Sequence, residues 1–268
     1  MDGQLAETRV AAIAAYIQEQ QSILPLWLYL LGLSLVECMV GLGYQEAGAL
    51  MHMVILSGLY CSSSYYRQDD IHKLYLALSL APLTRIINLS LPPFPLHPVF
   101  YYFLAGVPML VGAYLVAQEI GFSFSKAFLG SESFIQVIGG YCLGVIIGLM
   151  NYLLFRPQIV APGYEKLPFL IVSFTVLIGS GFLEELLFRG ILYRAAVETL
   201  GQQVGWQYSS LIYASLQLGR FSAGAVLIAL VSALVLANFV RRQDSLIGAG
   251  IAHAIANICL FFVGPLLF

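Results

Sequence analysis

Long apolar runs without charge constrain this sequence more than any other feature. Three of them, over residues 133–155, 221–240 and 245–268, contain no Asp, Glu, Lys or Arg. A helix rises about 1.5 Å per residue, so about 20 apolar residues cross a hydrocarbon core of about 30 Å. The runs lack the two-residue alternation that a membrane β-barrel needs. The sequence therefore predicts an all-α, polytopic membrane protein.

The charge content agrees with this class. Only 12 Lys and Arg and 14 Asp and Glu residues occur among 268, whereas about a quarter of a soluble domain is charged, roughly 67 at this length. The formal net charge is −2 with no basic stripe, which excludes nucleic acid as a partner. We expect membrane lipids around the chain, in the plasma membrane of a prokaryote or in an organelle membrane.

Nine stretches qualify or nearly qualify as spans, which predicts about 8–9 transmembrane helices. They cover residues 22–43, 47–64, 71–90, 98–118, 133–155, 167–193, 205–219, 221–240 and 245–268. The weakest is 205–219, which is short and partly polar. It either lies buried among other helices or does not span.

The N-terminal 21 residues show a different pattern. Val10, Ile13, Ala14 and Ile17 fall at i, i+3, i+4 and i+7 and form one apolar stripe, with polar residues opposite. This pattern predicts an amphipathic helix lying in the membrane interface over residues 1–21. A frayed polar tail is the alternative.

Two further features concern packing between helices. Gly140, Gly144 and Gly148 recur every four residues and predict a seam where two helix backbones approach closely. Glu37 and Arg85 stand alone in apolar stretches of the first half and need partners. They pair either with each other or with another chain.

The densest charges inside a predicted span are Glu184, Glu185 and Arg189. Charges within the membrane are costly and are functional candidates by default. Glu185 and Arg189 are at i, i+4, close enough for an ion pair. Adjacent helical residues point about 100° apart, so Glu184 faces a different neighbour. The alternative is a purely structural salt bridge at the end of a span. Such a bridge would need only one of the two carboxylates and would leave the other without a role.

Two other pairs have the same spacing. His253 and Asn257 lie on the last span, and Tyr213 and Gln217 lie on the weak segment before it. Convergence of these faces with Glu184 would make a buried polar pocket. A carboxylate there can take a proton from water, while an imidazole and a carboxamide stabilise an oxyanion. This combination suits hydrolysis of a peptide bond. The alternative is a His that bonds only a neighbouring backbone group.

The EExxxR motif at 184–189, followed by HxxxN at 253–257, resembles the CPBP family of CAAX-processing and bacteriocin-processing intramembrane proteases, also called the Abi family. The resemblance covers roughly residues 167–268. We therefore divide the chain into an interfacial helix (1–21), a variable transmembrane half (22–166) and a CPBP-like core (167–268). The resemblance implies an intramembrane endopeptidase that cleaves a membrane-proximal peptide bond.

The same resemblance implies a role for each motif residue. Glu184 would activate the attacking water, with Glu185 and Arg189 as structural support. His253 and Asn257 would bind the oxyanion or a metal. For the family, both zinc and a metal-free glutamate mechanism have been proposed.

The chain departs from the family pattern on the middle helix, where an FxxxH motif would stand. It reads Tyr213-Ala-Ser-Leu-Gln217 there. A glutamine can orient a water but cannot accept its proton, and it is a poor zinc ligand. Only Glu184 and His253 are then left as metal ligands, too few for a tight site.

Two functions therefore stay open. One is the endopeptidase, acting on a membrane protein or on a lipidated or leader peptide. The other is a catalytically impaired relative that serves as a membrane scaffold, an assembly factor or a subunit of a membrane complex. A proton-relay transporter ranks below both, because the sequence shows no inverted repeat.

Overall fold

The computed structural model describes residues 23–91, 98–128, 134–157 and 167–268. Every regular element in these ranges is helical, which confirms the predicted all-α class. The helices are α1 (Ile23–Gly41), α2 (Gln45–Tyr65), α3 (Ile71–Leu78), α4 (Leu80–Ser90), α5 (Pro98–Glu119), α6 (Phe124–Phe128), α7 (Phe134–Phe155), α8 (Leu167–Glu185), α9 (Tyr193–Leu200), α10 (Gln202–Ser215), α11 (Ala223–Gln243), α12 (Ile247–Ile258) and α13 (Gly264–Leu267). The predicted interfacial helix over 1–21 lies outside the described residues.

Six helical stretches in the described ranges are long and apolar enough to cross a membrane. They are Ile23–Gly41, Phe100–Glu119, Phe134–Phe155, Leu170–Leu200, Ala223–Gln243 and Ile247–Leu267. The chain is therefore an integral, multi-pass membrane protein. The count of eight or nine spans stays a prediction. The 14-residue helix α10 is about 21 Å long at 1.5 Å per residue, so it does not cross a core of about 30 Å by itself.

The predicted span over 71–90 is formed by two consecutive helices, α3 and α4, which meet at Ser79. Pro82 is the third residue of α4. Since proline has no backbone N–H, it cannot bond the carbonyl of Leu78. The chain nevertheless stays helical at Ser79, whose N–H bonds the carbonyl of Tyr75 at 3.1 Å, so α4 continues the direction of α3 and carries Arg85.

Helix α12 lies at the centre of the fold, packed against α7 and α8. The span that contains it is 44% buried, whereas the other five are 22% to 33% buried. Gly140, Gly144 and Gly148 of α7 form the predicted seam, since a Cβ on any of them would overlap the α12 backbone between Gly248 and Ala256. The missing side chains let α12 approach closely enough to fill the centre.

One hydrophobic core joins the two halves of the chain. It includes Leu26 of α1, Leu74 of α3 and Tyr208 of α10. The Tyr208 hydroxyl also donates to the carbonyl of Leu26 at 2.8 Å. The boundary near residue 166 is not tested by this packing and stays a prediction.

Glu37 and Arg85 pair with each other, which decides between the two alternatives left by the sequence. Arg85 Nε donates to Glu37 Oε1, and His52 Nε2 lies 2.9 Å from the same oxygen. Glu37 and His52 are fully buried. We call these three residues the α1–α2–α4 charge cluster. His52 was missed from the sequence, although its place in the apolar stretch 47–64 was a usable signal.

Candidate active site

The EExxxR motif lies where α8 changes its helical geometry. Glu184 and Glu185 end α8, and the next seven residues, Leu186–Leu192, form a π-helix. Such π segments are rare and frequently lie at functional sites. The predicted ion pair is present, with Arg189 Nη1 3.0 Å from Glu185 Oε1 and side-chain exposures of 3% and 1%.

A glycine lets α8 and α12 meet beside this motif. Gly181 lies one turn before Glu185, and a Cβ on it would lie 2.7 Å from the backbone nitrogen of Ala254. That separation is shorter than any ordinary van der Waals contact, so a side chain at this position would push the helices apart. The close approach brings His253 to the two carboxylates.

His253 bridges Glu184 and Glu185 through its two ring nitrogens. Nδ1 lies 2.8 Å from Glu185 Oε1, and Nε2 lies 3.5 Å from Glu184 Oε2. A carboxylate accepts only, so Nδ1–H donates to Glu185 and Nε2 is left facing Glu184. The sequence predicted different neighbours for the two carboxylates. Instead they share one histidine on opposite sides of its ring.

Asn257 connects α12 to α8. Its Nδ2 donates to the carbonyl of Leu177 and to Ser180 Oγ, both at 3.2 Å. The amide nitrogen therefore has two partners on α8, and contact with an oxyanion would require at least one of them to be released. The oxyanion role stays a prediction. Ser180 was missed from the sequence, although it stands four residues before Glu184 on the same face.

A cavity of about 270 Å³ opens beside these groups, with Glu184, Tyr213, Gln217, His253 and Asn257 in its wall. This confirms the predicted convergence of the three helices; the catalytic roles stay predictions. Glu184 has a 31% exposed side chain, whereas Glu185 beside it has 1%. Glu184 is thus the motif carboxylate that a water or a substrate can reach.

Tyr213 separates the buried ion pair from the cavity. The guanidinium carbon of Arg189 lies 4.2 Å from the centre of the Tyr213 ring, and Phe188 meets the same ring edge-on at 5.0 Å. A guanidinium over an aromatic face is attracted by the electrons of the ring. Tyr213 therefore helps to fix Arg189, and through it Glu185, behind the cavity wall.

The donor groups do not fit a zinc ion. No group of three or more His, Cys, Asp or Glu side chains that could hold a metal occurs in the described ranges. Catalytic zinc sites use three protein ligands, and Glu184 with His253 supply two. His253 Nδ1 is also bonded to Glu185.

Comparison with known proteins agrees with the resemblance that the EExxxR and HxxxN motifs indicate. Residues 166–259 match the family described as type II CAAX prenyl endopeptidase Rce1-like, which confirms the resemblance to CPBP proteins over this region. No curated protein and no solved structure matches the chain. At the level of the family, the match supports an intramembrane protease of the CAAX type. Over residues 166–259, the chain is therefore similar to the type II CAAX prenyl endopeptidases described as Rce1-like.

Proposed function

We propose that the protein is an intramembrane endopeptidase in which Glu184 activates the attacking water. One observation carries the proposal: Glu184 is exposed to the cavity and faces His253 Nε2, while Glu185 holds the other ring nitrogen. A reactive group beside a histidine, with that histidine oriented by a third group, is the arrangement expected of acid–base catalysis. Arg189 completes the chain of contacts behind Glu185.

The proton balance of the reaction follows from these contacts. Glu184 takes a proton from water, and the resulting hydroxide adds to the carbonyl carbon of the scissile peptide. His253, protonated at Nε2, donates to the oxyanion that forms on the carbonyl oxygen. Glu184 then returns its proton to the leaving amine, and the C–N bond breaks to give a carboxylic acid and an amine.

The Nε2–Oε2 distance of 3.5 Å is longer than a hydrogen bond, as is common in catalytic pairs without substrate. Gln217 and Tyr213 line the same cavity. Their amide and hydroxyl groups can orient the water or donate to the oxyanion, but they do not serve as the base. The mechanism therefore needs no histidine at position 217.

The substrate is a peptide bond near the membrane, in a membrane protein or in a lipidated or leader peptide. A lipidated peptide agrees with the description of the matching family. The site is carried by helices of a multi-pass membrane protein, so a substrate must reach it from within or beside the lipid. We place the protein in the plasma membrane of a prokaryote or in an organelle membrane.

A second candidate is a non-catalytic relative that acts as a scaffold, an assembly factor or a subunit of a membrane complex. Gln217 favours it, because a glutamine stands where the family pattern suggests a catalytic histidine. The engaged amide of Asn257 also favours it, since its nitrogen already has two partners on α8. Such a protein would keep the polar cluster for packing.

The test compares the wild type with Glu184→Gln after reconstitution into liposomes. The probe is a peptide with a prenylated cysteine followed by three apolar residues, incubated in ¹⁸O-labelled water. We expect cleavage that places one ¹⁸O atom in the new carboxylate, and a loss of about 100-fold or more in rate for Glu184→Gln. Glu119→Gln is the matched control, because Glu119 is an exposed carboxylate paired with Arg67.

Equal cleavage rates in the wild type and in Glu184→Gln would refute the proposal. A partner that copurifies in stoichiometric amount, with no cleavage that depends on Glu184, would establish the second candidate instead. The carboxamide keeps the size and most of the hydrogen-bonding capacity of the carboxylate but not its basicity. A folded but inactive Glu184→Gln protein is therefore informative.

A further inference from the structure

Two arginines from different helical elements line the cavity that contains Glu184. Arg85 comes from α4, and Arg220 ends the 3₁₀ turn Leu218–Arg220 after α10. Neither belongs to the EExxxR or HxxxN motif, and the proposed hydrolysis uses neither. Cations in the wall of a membrane cavity are costly unless they meet an anion, so each needs a partner or a ligand.

Arg85 is only partly neutralised by the α1–α2–α4 charge cluster. Its Nε donates to Glu37, whereas its two Nη groups have no hydrogen-bond partner among the residues that the structure describes. The Arg85 side chain is 18% exposed although Glu37 is fully buried. The cluster therefore holds the Arg85 guanidinium through Nε and leaves its two Nη groups at the cavity wall, where they can bind an anion.

Arg220 has no carboxylate partner in the described part of the chain. Its guanidinium carbon lies 4.6 Å from the ring centre of Phe155, a stacked arrangement that orients the planar group without neutralising it. The turn that carries Arg220 also contacts the cluster, since a Cβ on Gly219 would overlap the Glu37 carboxylate. The two arginines are thus positioned by one shared packing unit.

The arginines and Glu184 line the same cavity, whose volume is about 270 Å³. A peptide that enters this cavity to reach Glu184 therefore also meets the two guanidinium groups.

We propose that Arg85 and Arg220 form an anion-binding subsite that holds a carboxylate of the substrate peptide in the same cavity as the bond that Glu184 cleaves. The inference rests on the proposed function in taking a peptide as the ligand. Arginine forks match carboxylates in geometry as well as in charge. The carboxylate is that of the chain terminus or of an acidic side chain.

A lipid phosphate is the other anion present in a membrane, and the presence of Glu184, the proposed base, in the same cavity favours the peptide. The cavity volume of about 270 Å³ is near the lower limit for small-ligand pockets, about 300 Å³, and is too small for a lipid with two acyl chains. Arg85 is mostly buried and held from behind by Glu37. An anion that reaches both arginines therefore enters as a narrow group, and the displacement experiment below distinguishes a peptide carboxylate from a lipid headgroup.

The experiment measures binding separately from cleavage, using Glu184→Gln protein in detergent micelles. Three dye-labelled peptides share a prenylated cysteine and differ in their last residue: a free carboxylate, a C-terminal amide, and an amide with Asp in the last position. We expect the free carboxylate to bind about tenfold or more tightly than the plain amide, since a hydrogen bond to a charged group contributes about that factor. The peptide amide that ends in Asp shows whether the subsite accepts a side-chain carboxylate or only the carboxylate of the chain terminus.

Variants of Arg220 connect this preference to the subsite. Arg220→Gln should remove most of the preference, and Arg220→Lys should keep part of it because the charge remains. Arg220 is exposed, so its replacement leaves the buried core intact. The matched control is Arg242→Gln, at an exposed arginine that does not line the cavity.

Equal affinity for the three peptides would overturn the proposal. So would a preference that Arg220→Gln leaves unchanged, or displacement of all three peptides alike by vesicles of phosphatidylglycerol, which would identify a lipid site. Cleavage by the wild type without any carboxylate preference would remove the subsite and leave the endopeptidase standing. A carboxylate preference dependent on Arg220 but without cleavage would do the reverse.

Discussion

The seam between α7 and α12 leads to a quantitative prediction, because Gly144 leaves no room for a side chain. A Cβ there would lie 2.7 Å from the Cβ of Ile255 and would overlap the carbonyl oxygen of Ala252. Gly144→Ala must therefore displace α12. Overpacking of this kind costs about 1–3 kcal/mol, against a gain of up to about 1 kcal/mol from the higher helix propensity of alanine.

The matched control is Gly179→Ala on α8, where a Cβ would meet no atom within 4 Å. This variant keeps the gain in helix propensity without the overlap. We expect Gly144→Ala to be less stable than Gly179→Ala by about 1–3 kcal/mol. At roughly 2 °C per kcal/mol for a chain of this size, the difference in Tm is about 2–6 °C.

The assay follows the thiol of Cys259, which is 5% exposed in the folded protein. The other three cysteines are replaced by alanine, and labelling of Cys259 by a thiol-reactive dye is measured against temperature in detergent micelles. Since α12 also carries His253, Gly144→Ala should lower Glu184-dependent cleavage as well. Equal transition temperatures for the two glycine variants would refute the close-packed seam.

Three further predictions concern the site. Arg189→Met should destabilise the protein by about 3–5 kcal/mol, because it leaves the Glu185 carboxylate buried without its arginine. Adding Glu185→Leu should recover part of this loss. Additive changes in the free energy of chemical unfolding for the two substitutions would contradict the pairing. Asn257→Ala should cost about 1–3 kcal/mol in the same measurement, since the two hydrogen bonds from its amide to Ser180 Oγ and to the carbonyl of Leu177 are lost, and an unchanged midpoint would speak against the link to α8. Treatment with a zinc chelator should leave any Glu184-dependent cleavage unchanged, because the described donors do not form a zinc site; one equivalent of zinc per protein by elemental analysis, lost together with activity, would contradict this.

The spacing of residues along one helix was enough to predict contacts within that helix. Glu185 and Arg189 pair as their i, i+4 positions require, because helical geometry places such side chains on one face. The spacing of Gly140, Gly144 and Gly148 likewise predicted a seam on one face of α7. The helix that packs into this seam could not be predicted, since nothing local in the sequence indicates that it is α12.

The π-helix at Leu186–Leu192 and the engagement of Asn257 by Ser180 were not predicted either. Both depend on how α8 is packed between other helices. Glu37 and Arg85 show the same limit: the sequence indicated that each needed a partner, but two pairings satisfied that need. Only the packing of α1, α2 and α4 brought them together and added His52.

The sequence by itself determined that the chain is an all-helical membrane protein and that Glu184, Glu185, Arg189, His253 and Asn257 are its polar centre. Apolar length and the cost of charge in lipid are properties of composition and spacing, so they can be read without a fold. Tertiary structure decided which carboxylate reaches the cavity and which holds His253 from behind. That division depends on the approach of α8 to α12 at Gly181, a contact between residues more than 70 positions apart in sequence.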